Sequence, residues 1–159
     1  MGQVITKLVK DDKECQMVAG VDRYMGIEND YPVFETIEKC DVDADVVIDF
    51  SSAKAVDGLL DYFEEKGMAC VLCTTGLSEA QLARAEAVSH KAAILKSANM
   101  SLGINLLFKL LAEAAPVLAA AGFDMEIVEK HHNQKLDAPS GTALALADSL
   151  NGALGNAYE

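Results

Sequence analysis

Apolar positions along this chain follow three spacings, and each predicts a kind of element. Val4, Ile5, Leu8 and Val9 recur at helical spacing and predict a helix over residues 2–11. A short strand is expected at 17–21, ending at Asp22. After a loop containing Pro32, the run Asp45-Val-Val-Ile-Asp-Phe50 reads as a buried strand, with Ser51 and Ser52 placed to cap the next helix. Val56, Leu59, Leu60 and Phe63 then fall at i, i+3, i+4 and i+7, one packed helical face, and Gly67 stops that helix. A strand at 69–73 comes after it. Ser78-Glu-Ala-Gln81 has the form of a capping box and opens a helix to about Ser89, before another strand at 92–96.

Strand and helix alternate, and the strands are continuous apolar runs, so the expected architecture is a doubly wound parallel sheet with helices on both faces. The pattern changes after Asn99. A long helix over 103–115 leads through Pro116 into Phe123-Asp-Met-Glu-Ile-Val-Glu129, where apolar and acidic residues alternate as on a half-exposed strand. Residues 137–141 read as a loop and 142–150 as an Ala/Leu-rich helix. A domain boundary is therefore placed near residue 100, giving units 1–99 and 100–159.

Composition narrows the partners. The 159 residues hold 13 Lys plus Arg against 25 Asp plus Glu, a net charge of -12. Such a surface repels phosphate backbones and excludes a general nucleic-acid binder. A small anion could bind only where positive charge or unpaired N–H groups are concentrated. High apolar content with 11 Gly and 3 Pro excludes a disordered tail. The longest apolar stretch, 102–123, is broken by Asn105, Lys109, Glu113 and Pro116, so it is expected to be a core helix rather than a membrane span. Residues 1–6 match a myristoylation pattern by letter but read as the first helical turn, and Lys7 and Lys10 interrupt any signal-peptide core. The expected compartment is the cytoplasm. Cys70 and Cys73 form a C-x-x-C, yet on a strand side chains three apart face opposite ways, so they are expected to be buried structural thiols and no metal site is expected.

Two constellations could carry chemistry. Glu129-Lys-His-His-Asn-Gln-Lys135 is a positive island holding two of the three histidines, suited to proton donation toward an anionic substrate. A solvated loop with incidental histidines is the plain alternative. Ser140-Gly-Thr142 opens the following helix, where first-turn N–H groups and hydroxyls form a carboxylate or phosphate cradle, or serve only as caps. The second constellation lies at the carboxyl ends of the strands: Asp22-Arg23, Phe50-Ser-Ser52, Thr74-Thr-Gly76 and Ala98-Asn-Met-Ser101. Asp22 follows Gly2 by 20 residues, the offset of the acid that receives a dinucleotide's ribose hydroxyls. Arg23 could instead meet a 2′-phosphate, so both NADH and NADPH stay open.

The run Lys130-His-His-Asn-Gln-Lys-Leu-Asp-Ala-Pro-Ser-Gly-Thr-Ala143 closely resembles the signature of the dihydrodipicolinate reductase family of bacterial lysine and diaminopimelate synthesis. Asp49-Phe-Ser51, Thr74-Thr-Gly76 and Asn99-Met-Ser101, followed by Gly103 and Asn105, fall in that family's order, so the resemblance spans essentially the whole chain. It implies a Rossmann-like α/β sheet missing its first strand, followed by part of an α+β substrate domain. It implies reduction of 4-hydroxy-tetrahydrodipicolinate, a small dicarboxylate, to tetrahydrodipicolinate by NADH or NADPH. His131 would protonate the ring carbon, with Lys135 as second donor or polariser near the imine nitrogen. His132, Ser140, Gly141 and Thr142 would hold a substrate carboxylate. Gly2, Asp22, Arg23, Phe50, Thr74, Thr75, Gly76, Ala98, Asn99, Met100 and Ser101 would meet the cofactor.

The sequence departs from the family's pattern in two ways. Cys73 stands where the family usually has Gly before Thr-Thr-Gly, and its side chain is expected to crowd the cofactor. Met1-Gly2 matches only the tail of a Gly-x-x-Gly-x-x-Gly turn, so most of the pyrophosphate site is expected to be missing and both domains to be incomplete. The resemblance also implies a homotetramer in the longer form. A non-catalytic nucleotide-binding or oligomerisation module is the alternative reading.

Overall fold

A computed structural model describes residues 1–133 and 138–158. The stripe at positions 4, 5, 8 and 9 does form a helix, α1 (Gly2–Asp11), whose Thr6 hydroxyl lies 2.6 Å from the Tyr31 hydroxyl. Strands β1 (Gly20–Val21) and β2 (Val33–Phe34) pair in parallel, Gly20 opposite Val33. A two-residue strand is too short to show a period, so β2 is invisible in the sequence. A 3-10 turn (Ile37–Lys39) leads on to β3 (Val46–Asp49), α2 (Ala53–Lys66), β4 (Ala69–Leu72), α3 (Glu79–Ser89) and β5 (Ile94–Lys96). β3, β4 and β5 form a parallel sheet in that order. The α/β class read from the sequence is therefore the one observed.

The expected helical face of α2 is the core. Val56, Leu60 and Phe63 are fully buried, joined by Leu72 and Cys70 from β4 and Val88 from α3. Each large apolar side chain taken from water stabilises the unit by about 1.5–3 kcal/mol. Gly67 ends α2 in the left-handed region at φ 63°, where a side chain would be strained. α3 begins at a complete capping box: Gln81 N–H donates to Ser78 Oγ at 3.2 Å, and Ser78 N–H donates to Gln81 Oε1 at 3.1 Å. The same Gln81 donates to Ala53 O at 2.7 Å, tying α3 to the start of α2.

Three expectations for this unit change. Among the described residues, the β3–β5 sheet is covered on one face only. Val47, Cys70 and Ile94 share a face with Asp49 and Leu72 against α2 and α3, whereas Ile48 and Leu95 on the opposite face are 42% and 58% exposed. Right-handed crossovers that progress in one direction along a sheet put both helices on the same side. The parallel layer is also in two pieces among the described residues, β1–β2 and β3–β4–β5. Ser52 occupies the N-cap position of α2, but its side chain makes no capping hydrogen bond.

Residues group into two compact units, Met1–Ser97 and Ala98–Glu159. In the second, α4 (Leu102–Ala120) packs on α5 (Gly141–Ala153), and the Ser149 hydroxyl donates to Phe108 O at 3.3 Å. α4 runs through Pro116, five residues past the expected end, although proline offers no N–H to the carbonyl one turn back. Nor is it a core helix among the described residues. Ala115 is its one buried residue, and Leu102 is 85% exposed. By length and composition alone α4 could cross a membrane. Asn105, Lys109 and Glu113, four apart, mark one polar side, and among the described residues α5 packs on part of the apolar remainder. The alternating segment at 123–129 forms no strand, because no described residue pairs with its backbone.

Candidate functional site

In the first unit the strand ends are laced together by one buried carboxylate. Asp49, 5% exposed, closes β3. Its Oδ2 accepts from the Thr74 hydroxyl at 2.6 Å and its Oδ1 from Ser51 N–H at 3.0 Å. The hydroxyls of Ser51 and Thr74 are 3.4 Å apart. Both acceptor oxygens are thus used, which is the condition under which a buried carboxylate is tolerated. Phe50 is half-buried beside it, and Thr75 and Gly76 turn outward into solvent, Gly76 at φ 71°. The turn holds backbone where a ligand at the strand ends would lie, and only glycine takes that conformation without strain.

Cys73 does not intrude on this loop. It is 4% exposed, with Sγ 3.8 Å from Val71 O, so its side chain is packed inward at this loop. Burial pushes the Cys70 thiol up to about 12 and raises that of Cys73, with the Asp49 charge adding to both. Both thiols are buried, as the sequence leads one to expect, and the environment disfavours their thiolates.

Asp22 follows β1, its Oδ1 accepting from Tyr24 N–H at 2.9 Å, and both Asp22 and Arg23 are exposed. They belong to the smaller sheet rather than to the β3–β5 ladder. Gly2 opens α1, and a Cβ there would meet nothing within 4 Å.

In the second unit, Ala98, Asn99, Met100 and Ser101 lead into α4. Asn99 Oδ1 accepts from Ser101 N–H at 2.8 Å, and Asn105 donates to the carbonyls of Asn99 and Ser101, both at 2.9 Å. Asn99 Nδ2 also donates to Thr142 Oγ1 at 3.2 Å. A residue read as cofactor-facing and one read as substrate-facing are therefore in direct contact. Ser140 is buried and caps α5, accepting from Ala143 N–H at 3.1 Å. Gly141 and Thr142 stand in the first turn, where N–H groups lack intrahelical acceptors. His131 and His132 are exposed, and Lys135 lies outside the described residues.

Glu129 joins these parts. Its Oε1 accepts from Ser140 N–H at 2.9 Å, and its Oε2 lies 2.7 Å from His131 Nε2. Hydrogen bonding from the Ser140 side chain, then from His131 and the Ser140 N–H, holds its carboxyl down at about 2. Asp49 and Glu129 are the two polar anchors that motif reading does not assign as site residues. Each leaves a trace: Asp49 is the polar end of an apolar strand, and Glu129 shares the period-2 side of its segment with His131.

The fold and its loops define the class. Polar residues gather at the carboxyl ends of a parallel α/β layer, the usual ligand position in such sheets, and a His-His pair precedes a capped helix in a separate unit. The chain belongs to the dihydrodipicolinate reductase family: models of that enzyme's N-terminus and C-terminus match residues 1–100 and 103–158. It is 50% identical over 151 residues to a 4-hydroxy-tetrahydrodipicolinate reductase of Caldanaerobacter subterraneus, covering 95% of this chain and 59% of that protein. A reductase of the same name from Clostridium novyi is 45% identical over 150 residues, with 94% and 59% covered. Among solved structures, a dipicolinate-bound dihydrodipicolinate reductase from a Paenisporosarcina species matches with TM-score 0.72 and 28% identity, over 96% of this chain and 62% of that one. The chain thus spans about three-fifths of these relatives' length.

Proposed function

We propose that these residues serve an NADH- or NADPH-dependent reduction of 4-hydroxy-tetrahydrodipicolinate to tetrahydrodipicolinate, in the cytoplasm, on the route to diaminopimelate and lysine. The observation that carries the reading is the Glu129 carboxylate joining His131 to the capped start of α5, two parts of the run that resembles the family signature. A histidine tied to a helix N-terminus suits protonation of a bound dicarboxylate.

Residues 1–99 hold the cofactor on this reading and residues 100–159 the substrate. The residues fit a dinucleotide: Asp22 offers a carboxylate for ribose hydroxyls, Arg23 a guanidinium for a 2′-phosphate, and Thr74, Thr75 and Gly76 an open turn fixed from behind by Asp49. Gly2, Phe50, Ala98, Asn99, Met100 and Ser101 are further cofactor contacts on this reading, with most of the pyrophosphate cradle lying outside this sequence. When bound, the reduced nicotinamide supplies the hydride. His131 delivers a proton to the substrate ring carbon, and Lys135 polarises or protonates near the imine nitrogen. His132, Ser140, Gly141 and Thr142 bind a carboxylate, Ser140 by keeping the helix start in place rather than by its engaged hydroxyl. α4 is not a membrane span on this reading, since Asn105, Lys109 and Glu113 would be costly in a bilayer. The whole enzyme is a homotetramer on this reading.

The test is to supply the whole protein with freshly generated 4-hydroxy-tetrahydrodipicolinate and either reduced cofactor, following loss of the reduced nicotinamide's absorbance. Substrate-dependent oxidation is expected. Its absence with both cofactors would overturn the reading and favour a non-catalytic module.

A further inference from the structure

Glu129 is placed unlike a residue that merely solvates a loop. In an extended segment residues two apart point the same way, and Glu129 Oε2 meets His131 Nε2 at 2.7 Å. Its other oxygen reaches 11 residues along the chain to the N–H of Ser140 at 2.9 Å. Ser140 is buried and caps α5, and Thr142, two residues on, accepts from Asn99 at 3.2 Å. One carboxylate therefore fixes an imidazole against a helix terminus that is itself fixed on both sides.

We infer that Glu129 is a positioning residue for the reduction: it locks the His131 ring to the start of α5, so that proton donor and carboxylate cradle are presented as one rigid pair, and Nδ1 becomes the nitrogen that hands over the proton. The inference rests on the reductase reading above. Nε2–H is spoken for by Glu129, and the proton transferred is the one on Nδ1. As that N–H bond breaks, its electron pair stays on Nδ1, the substrate ring carbon gains the proton, and the neutral ring keeps its Nε2–H on the carboxylate. A fixed ring matters because small displacements of a reacting group cost large factors in rate.

The experiment compares Glu129→Ala and Glu129→Gln with the unaltered whole protein. Turnover of 4-hydroxy-tetrahydrodipicolinate is measured in parallel with ring 15N spectra of His131, with and without pyridine-2,6-dicarboxylate. Glu129→Ala is expected to lose on the order of 10- to 100-fold in kcat and to raise the substrate KM, while cofactor affinity stays unchanged. Glu129→Gln keeps an acceptor for Ser140 and is expected to restore the KM but not the kcat, a split that simple loss of structure would not produce. In the spectra, Nε2 is expected to carry the proton in the unaltered neutral ring, with exchange between the two nitrogens in Glu129→Ala. Unchanged kcat and KM in Glu129→Ala would overturn the inference, as would identical ring spectra in all three proteins. If Glu129→Ala fails to bind cofactor, it has misfolded, and the kcat and ring spectrum of Glu129→Gln decide. A lack of turnover in the unaltered protein would strike the reductase reading instead, and the ring spectra would then judge the Glu129–His131 contact by themselves.

Discussion

Asp49 and Glu129 are both carboxylates with two engaged oxygens, yet their settings differ. Asp49 is buried and binds a hydroxyl and an N–H from loops that its own sheet brings together. Glu129 is exposed and binds an imidazole and an N–H within one stretch of chain. The first arrangement is a structural brace, because water cannot replace its bonds. The second holds an exposed imidazole, the ring proposed above as the proton donor. Burial thus fixes backbone in the first unit, whereas the carboxylate of the second unit stays within reach of solvent.

The largest effect that would sharpen this contrast is on catalysis, in the His131 to Lys135 run. His131→Ala or Lys135→Ala is expected to reduce turnover by about 10²–10⁴-fold, the range for a lost general acid, with cofactor affinity intact by titration. Unchanged turnover in both would remove the chemical role from this region. In the buried cluster the loss should appear as stability instead. Asp49→Ala leaves the Thr74 hydroxyl and the Ser51 N–H without their acceptor, and chemical denaturation should show a loss of about 1–3 kcal/mol. A cost near zero would mean that water reaches the strand ends. Ser78→Ala removes the capping box of α3, and the same measurement should read about 1 kcal/mol.

The smallest effect is a matter of pH. The Glu129 carboxyl is held at about 2, below its ordinary value of 4.5, so its stabilising contacts are fully present above the ordinary value. They are lost as pH falls from there through about 2, when the carboxylate takes up a proton. The amide signal of Ser140 should therefore titrate with a midpoint well below 4.5. A midpoint at the ordinary value would show that the contact is not made in solution.

Much of the first unit was legible in the sequence because its elements are long enough to show a period. The Val56, Leu60 and Phe63 stripe and the Ser78–Gln81 box appear in the structure as they read in the chain. What could not be read was pairing. β2 is too short to carry a pattern, and the alternation at 123–129 describes a strand that finds no partner among the described residues. Helix α4 continues past Pro116, where the local rule for proline places an end. For the candidate site, the motif named His131, Ser140 and Thr142, but not the carboxylate between them.

The amino-acid sequence by itself determined the α/β class, the core face of α2, the capping of α3 and the residue types able to carry acid–base chemistry. These depend on neighbours a few positions apart, whose geometry the backbone period sets. Only tertiary structure decided which face of the sheet is covered, that Cys73 turns inward, and that Asp49 meets Thr74 and Glu129 meets Ser140. Those contacts join residues distant along the chain, and their energy depends on burial and hydrogen-bond geometry that exist only once the chain has folded.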